Sequence, residues 1–594
     1  MKTLKLPQFL KIVDELTVSM DHKELEAFIH EIARVSPEGR RAYFLDTLRD
    51  YSVSQESDEK EAVFAKDDGQ TETRKEVERV IDELKVINEG ERCLDSEYNE
   101  EWDEWYNRDE DEILFSDPEK LLHTIRDAVS LIHQCIDMNL IDEGCRLAET
   151  LCNLEVTAKG DYNEYDGSPL GLEELYEFDL LKGSLENCIK ECLYLTYLGN
   201  ELKDRSEELY LLFDRFRYRS ICLEDILQMG NRELPDFEEF LPLWIEELGQ
   251  RQGVCAKKLL AEAQPMLGDD FALLENARKY VGTHPELYLQ LLEIWRDLKE
   301  EVKMLDIGLE AMDAISPDLT IRSAIALKTA EFADRLCRFD VREKCWIEAL
   351  RSKTTAPNYL RIKFLSRNPD QYRDQTLSMI KACYEKTQNC EKNFYRFKSE
   401  TEERNHIYKN DYCAIMFFEE KYDAMEKTGM SLTKPLGWSA TFLKEGIALM
   451  LLFLYQGNDY RAGMKSMTDW AIRACSFSSE ILYQGTDEKS DMTDQALFLK
   501  FFEEWKDRVT VPSDLAEQWI QKIEDRVEQR TAGIMEANRR NYYGECASFI
   551  AALGEMKESV GYPGEKNRIL LQYKEKYSRR RAFLGELRRY GMKG

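Results

Sequence analysis

The chain has 594 residues, 43% apolar and 33% charged, and its 82 basic against 115 acidic side chains leave a net charge of −33. That length allows roughly four domain-sized units and a sizeable core. The acidic balance argues against general nucleic-acid binding and against docking on an anionic membrane, and the low Pro and Gly content (14 and 29 residues) against disordered, collagen-like or turn-rich all-β chains.

The opening segment, MKTLKLPQFLKIVDELTVSM, lacks the unbroken apolar run and small-residue cleavage site of a secretory signal, so a cytoplasmic chain is expected. Asp21 and Glu24 form a capping box ahead of the apolar series Leu25, Phe28, Ile29 and Ile32. Ser36-Pro37-Glu38 opens a second helix carrying Phe44, Leu45 and Leu48, which predicts an N-terminal helical hairpin over 1–50. His30-Glu31-Ile32-Ala33-Arg34 begins like a zinc-protease helix, but Arg34 stands where the second imidazole must be, so no metal site follows. Residues 51–75 are rich in Ser, Asp, Glu, Lys and Gln with few apolar anchors, and read as a polar linker.

Glu97–Glu112, EYNEEWDEWYNRDEDE, sets Trp102, Trp105 and Tyr106 among Glu100, Glu101, Asp103 and Glu104. Aromatic anchors ringed by carboxylates suit a docking element for a basic protein partner, the rings supplying buried area and the charges steering approach. Mimicry of nucleic acid is a second form of the same idea, and an acidic surface loop is the plain alternative. Asp117-Pro118 then supplies a cap and a preset first-turn φ for a helix whose apolar stripe is Leu122, Ile125, Val129, Ile132 and Ile136.

Beside that stripe run Arg126, Ser130, His133 and Asp137. An Arg and a His separated by six residues on a helix resemble the ribonuclease motif of the HEPN group, and the resemblance implies a pair that positions a phosphodiester and exchanges protons with it, without a metal. A solvated helix face is the plainer reading, and Arg278 with His284 gives a second loose match. Asp161, Asn163 and Asp166-Gly167 sit near calcium-loop spacing but lack the sixth-position Gly and twelfth-position Glu. Cys188 and Cys192 share a helix face among Leu185, Ile189 and Leu195 without a second ligand pair, and read as core thiols. Fifteen scattered cysteines in all fit free, reduced side chains.

Helix, short break, helix recurs along the chain, and convincing alternating strands are absent. Pro317 and Pro357 stand forty residues apart; at that offset Ile307 meets Ile347 and Leu309 meets Ala349, but Val302 meets Arg342. A degenerate repeat within the roughly 34–47 residue range of stacked helical hairpins predicts an all-α fold, either a TPR-like α-solenoid or an irregular helical array. It is expected over 76–430, with a C-terminal helical domain over 431–594. The most apolar stretch, Ile447–Tyr455, is far short of the ~20 residues a spanning helix needs and predicts a buried core helix. The tail reverses the charge through Lys566, Arg568, Arg579, Arg580, Arg581, Arg588 and Arg589, interleaved with Tyr577, Phe583 and Leu587. A contact with an acidic protein surface is expected there in preference to nucleic acid.

Asn541–Arg589, NYYGECASFIAALGEMKESVGYPGEKNRILLQYKEKYSRRRAFLGELRR, resembles the C-terminal helical region of bacterial SWIM zinc-finger family proteins, and residues 9–48 are similar to helical segments of that group. The family pattern of Cys-x-Cys followed by Cys-x-His is absent, so no zinc ligands carry over. The resemblance implies a helical scaffold lineage without the metal module. The expectation is a protein-binding scaffold without cofactors; the alternatives are a metal-independent ribonuclease using Arg126 and His133, or an acidic regulator that mimics nucleic acid.

Overall fold

The computed structural model describes residues 61–98, 113–160, 162, 168–229, 234–268, 270–295, 300–391, 404–431 and 434–593. The protein is all-α: among the described residues helix accounts for 71%, with 26 α-helices against three short strands. Two compact units divide it, 1–276 and 277–594. The hairpin expected over 1–50 lies outside the described residues.

The first unit opens with α1 (Glu61–Asn88), which runs through most of the stretch read as a linker and corrects that reading from Glu61 onward. Glu, Lys, Arg and Gln are good helix formers, so a polar composition there marks an exposed face rather than a break. Val77, Val80, Ile81, Leu84 and Ile87 then bury the other face. Next come β1 (Leu94–Tyr98), β2 (Ile113–Ser116), α2 (Leu121–Asp137), α3 (Ile141–Cys152), β3 (Ala158–Gly160), α4 (Leu172–Glu177) and α5 (Leu185–Gly199). α6 (Leu202–Arg215), α7 (Leu223–Leu227), α8 (Phe237–Gln250), α9 (Val254–Ala263) and α10 (Asp270–Lys279) complete this part of the chain, the division falling inside α10. α1, α2, α3 and α5 pack on one another, and α6, α8 and α9 form a second group.

The strands make a small sheet in the order β2-β1-β3, with β1 antiparallel to β2 and parallel to β3. Alternation over four or five residues is too short to read from LDSEY or ILFS, although Ile113–Ser116 does alternate between half-buried and exposed positions. Tyr98 pairs with Ile113 and Glu97 with Leu114.

α2 shows how far a local cap reaches. Both carboxylate oxygens of Asp117 accept from the next helix, from Leu121 N at 2.9 Å and Leu122 N at 2.8 Å. The helix therefore starts at Leu121, and Pro118 lies in the preceding turn rather than the first helical turn. Its buried face is Leu121, Leu122, Thr124, Ile125, Ala128, Leu131, Ile132 and Cys135, so Val129 and Ile136 end at the margin.

The second unit begins as a string of sequence neighbours: α11 (Glu286–Trp295), α12 (Glu301–Ala314), α13 (Ile321–Arg335), α14 (Phe339–Ser352) and α15 (Ala356–Leu365). The forty-residue offset maps α12 onto α14 but fails at the next pair, because α13 starts four residues after Pro317 while α15 already contains Pro357. Val302 is exposed, whereas Arg342 is buried against Asp334 at 2.6 Å, so the mismatch is physical.

There follow α16 (Arg373–Glu391), α17 (Lys409–Phe418), α18 (Tyr422–Gly429), α19 (Leu443–Leu454), α20 (Ala462–Ala474) and α21 (Ser479–Leu482). α22 (Asp494–Lys506), α23 (Ser513–Glu536), α24 (Tyr543–Ser559), α25 (Glu565–Lys576) and α26 (Arg581–Arg589) end the chain. α19 is buried on nearly every side, as its all-round apolarity requires. Among the described residues no helix is long and apolar enough to cross a membrane.

An aromatic cluster closes this core: Trp505 lies 4.9 Å from Phe418, 5.4 Å from Phe417 and 5.5 Å from Phe453, ring centre to ring centre. Each such buried ring contributes about 1.5–3 kcal/mol. Buried charged groups of this core have partners at close range. Glu545 takes Lys444 at 2.8 Å and Arg530 at 2.7 Å. Fully buried Glu555 accepts from Gly463 N (3.1 Å), Met464 N (2.8 Å) and Lys566 Nζ (2.6 Å), which caps the start of α20 from a distant helix. A Cβ on Gly463 would lie 2.5 Å from the Ala552 nitrogen, so glycine is required for this close approach.

Candidate functional site

A cleft of about 700 Å³ lies in the second unit, bounded by α11, α13 and residues 479–490. α13 contributes Ala324, Leu327, Lys328, Glu331 and Arg335, whose three- and four-residue spacing puts them on one helix face. Leu289 and Glu293 come from α11. The floor is thus apolar (Leu289, Ala324, Leu327) and its far edge charged. Opposite stand α21 and the turn after it, with Tyr483, Gly485 and Asp487 toward the space.

That opposite wall has little regular structure of its own and is held by other helices. Arg361 of α15, fully buried, donates from Nε to the Leu482 carbonyl at 3.0 Å and from Nη2 to the Ile481 carbonyl. Its Nη1 donates to Asn358 Oδ1 at 2.6 Å. These carbonyls close α21, Ile481 also accepting from Gln484 N at 3.4 Å, so the arginine acts as a C-terminal cap. Burial pushes its guanidinium down to about 9, with no carboxylate in contact to oppose the effect. Trp346 Nε1 donates to the Gly485 carbonyl at 3.3 Å, and Asp487 N donates to Asp334 Oδ2 at 2.8 Å.

Gly485 itself has φ +76°, and a Cβ there would lie 2.8 Å from the Leu327 carbonyl oxygen. The start of the wall is fixed by Ser478 Oγ, which accepts from Ile481 N at 3.2 Å, and by Asp494, which accepts from Ser479 N at 2.7 Å. The cleft is therefore preorganised: its irregular side is tied to α13, α14 and α15.

Four of its lining charges, Lys328, Glu331, Arg335 and Asp487, are paired. Lys328 meets Glu331 at 3.1 Å, Arg335 bridges Glu331 and Asp487, the latter at 3.2 Å, and Arg342 holds Asp334 at 2.6 Å behind the wall. The described lining carries neither histidine nor cysteine. Apolar floor, one phenol and a rim of both charge signs suit an amphipathic chain segment better than bond-making chemistry.

The residues singled out from sequence lie elsewhere. Trp102, Trp105, Tyr106, Glu100, Glu101, Asp103 and Glu104 lie outside the described residues, as do Asp161, Asn163, Asp166 and Gly167. Arg126 and His133 are both exposed on α2, but each is engaged within the chain. Arg126 Nη2 donates to the Leu180 carbonyl at 3.1 Å, and His133 Nδ1 meets Glu191 at 2.8 Å while Nε2 faces Asp137 at 3.5 Å. The Glu191 hydrogen bond raises the His133 pKa above its ordinary value, against a smaller opposing effect of burial.

Arg278 is forked onto Glu310 through two 2.8 Å contacts, and His284 is fully buried, so their spacing reflects packing. Cys188 and Cys192 are buried in α5, and Cys192 adjoins Cys152 as well as Cys188. The described cysteines are all free thiols. In the tail, Phe583 and Leu587 are fully buried, which leaves Arg579, Arg581, Arg588 and Arg589 on the surface and Arg580 half-buried.

The cleft residues carried little sequence signal. Gln484-Gly485-Thr486-Asp487 is a recognisable turn, but nothing in Asn358-Tyr359-Leu360-Arg361 distinguishes a buried cap from a solvated charge. A scan against protein-family models gives no match for the chain, and a search of curated proteins gives none either.

Proposed function

We propose that the protein is a TPR-like helical scaffold that holds a protein partner by a segment seated in the cleft between α11, α13 and residues 479–490. The observation that carries this reading is the tethering of the irregular wall by Arg361, Trp346 and Asp334, which fixes the shape of the cleft from within the chain. Preorganisation reduces the ordering cost of binding, and a groove with an apolar floor and paired charges at its rim favours a short amphipathic segment. Free, mostly buried thiols fit a reducing, cytoplasmic setting. The resemblance of Asn541–Arg589 to a scaffold lineage points the same way.

Peptides selected on the full-length protein from a random display library test the proposal. The selected peptides should bind the Leu327→Glu variant at least about tenfold more weakly, a change of about 1.4 kcal/mol. Equal affinity for the variant, with its thermal unfolding unchanged, would place the binding elsewhere and sink the cleft reading.

A further inference from the structure

Two turns of the second unit meet at one end of its last helices. The α23–α24 turn carries Arg539 and Arg540, and the α25–α26 turn carries Arg579 and Arg580, with Arg581 opening α26. Arg580 ties the two together: its Nη2 donates to the Met535 carbonyl at 2.9 Å and its Nη1 to the Asn538 side chain. Arg539, Arg540, Arg579 and Arg581 are exposed, and none of their guanidiniums meets a partner among the described residues. The acids at this end are few. Glu536 and Glu575 are exposed on the last turns of α23 and α25, and Glu586 is occupied by Arg589 at 3.0 Å.

A protein of charge −33 has carboxylates to spare, yet here leaves four guanidiniums uncompensated beside the positive end of α26, whose first turn carries no acid. For folding alone this is unfavourable, since like charges at close range repel.

We infer that this arginine cluster is a docking surface for an acidic peptide segment of a protein partner, its carboxylates taken by the guanidinium forks. Three observations select that occupant. All five cations are arginine, and the planar fork matches a carboxylate bidentately. Neighbouring aromatics offer no stacking platform for bases: Tyr577 packs against Phe583 at 5.9 Å and Tyr573 at 6.3 Å, and Tyr542 lies under Arg530 at 5.1 Å. Finally, a long polyanion would extend from the patch over an acidic surface, whereas a short segment stays on it. The inference does not rest on the cleft, and its test leaves the cleft intact.

The test uses the full chain and a fluorescein-labelled oligoglutamate peptide, with a labelled single-stranded RNA of equal charge as the second probe, both followed by anisotropy at low and moderate salt. The wild-type protein should bind the peptide more tightly than the RNA. The Arg539→Glu/Arg579→Glu pair should weaken peptide binding at least about tenfold, about 1.4 kcal/mol. Arg588→Glu, at the far end of α26, should leave it within a factor of about two of wild type on the same scale. If the charge reversal disturbs thermal unfolding, the milder Arg540→Gln/Arg581→Gln pair is read instead. No peptide binding by the wild type, undiminished binding by both pairs, or tighter binding of the RNA would each overturn the inference.

Discussion

Arg361 and Leu482 are 121 residues apart in the chain, yet the Nε of the first donates to the carbonyl of the second at 3.0 Å inside the fold. A buried guanidinium with no carboxylate partner is costly, and this one persists because it satisfies the Leu482 carbonyl and Asn358 Oδ1 and shares the Ile481 carbonyl with Gln484 N. Arg361→Met should therefore cost about 1–3 kcal/mol, set by the stranded carbonyls. Arg361→Lys should recover little, since one ammonium cannot span the fork. Thermal unfolding measures the loss, and hydrogen exchange should show faster amide exchange across 481–490 in both variants.

Gly485 combines a positive φ with a missing Cβ against the Leu327 carbonyl. Gly485→Ala should destabilise the protein by about 1–2 kcal/mol. Gly282, with nothing near its Cβ position and no positive φ, is the matched control, and Gly282→Ala should be neutral or slightly stabilising in the same denaturation experiment.

Glu419 is buried between Lys363 at 3.0 Å and Arg373 at 2.6 Å, with the Tyr359 hydroxyl donating to it. Burial alone would raise its pKa, but these partners together hold the carboxyl below its ordinary value. A depressed folded-state pKa contributes stability that is fully present above the unfolded value and is lost as pH falls through the folded one. Glu419→Gln should thus cost about 2 kcal/mol at neutral pH, less than a fully buried pair because Arg373 is partly exposed. The gap from wild type should close as unfolding is measured at progressively lower pH, below the usual carboxylate range.

His133 titrates in the opposite sense. Its hydrogen bond to Glu191 raises the folded-state pKa, so this contact contributes below the ordinary histidine pKa and is lost as pH rises through the folded value. Following the imidazole by NMR should place its midpoint above the ordinary histidine value, and Glu191→Gln should lower it. A midpoint unmoved by Glu191→Gln would show that the two side chains do not interact in solution.

Helical class was legible in the sequence because amphipathic periodicity repeats over hundreds of residues, and Ile447–Tyr455 could be read as core because no face of it is polar. What escaped was long-range. α1 lay hidden in a composition that looked unstructured because Glu, Lys and Asp there signal a linker as readily as a helix. The sheet joins strands of three to five residues, too short to set up a period. Asp117 was read correctly as a cap, but the helix begins four residues beyond it because the side chain reaches past a turn. Arg361, Trp346 and Asp334 build the cleft through contacts with residues well over a hundred positions away, and local spacing carries no trace of such pairings. The two arginine turns were half visible: Arg579–Arg581 stand out in sequence, but only the hook of Arg580 onto Met535 brings Arg539 and Arg540 beside them.

The carboxylate of Glu555, seated on the amides that open α20, has a consequence for how the chain is made. Ribosomes deliver α20 some ninety residues before its cap. Until α24 emerges, those amides have water as their only solvating group, and Gly463 lacks the helix it must nestle against. The second unit therefore completes its fold only after its C-terminal hairpins have left the exit tunnel. A nascent chain stalled before α24 should be an open, protease-sensitive and chaperone-dependent species, and release of the last helices should act as the latch on everything synthesised before them.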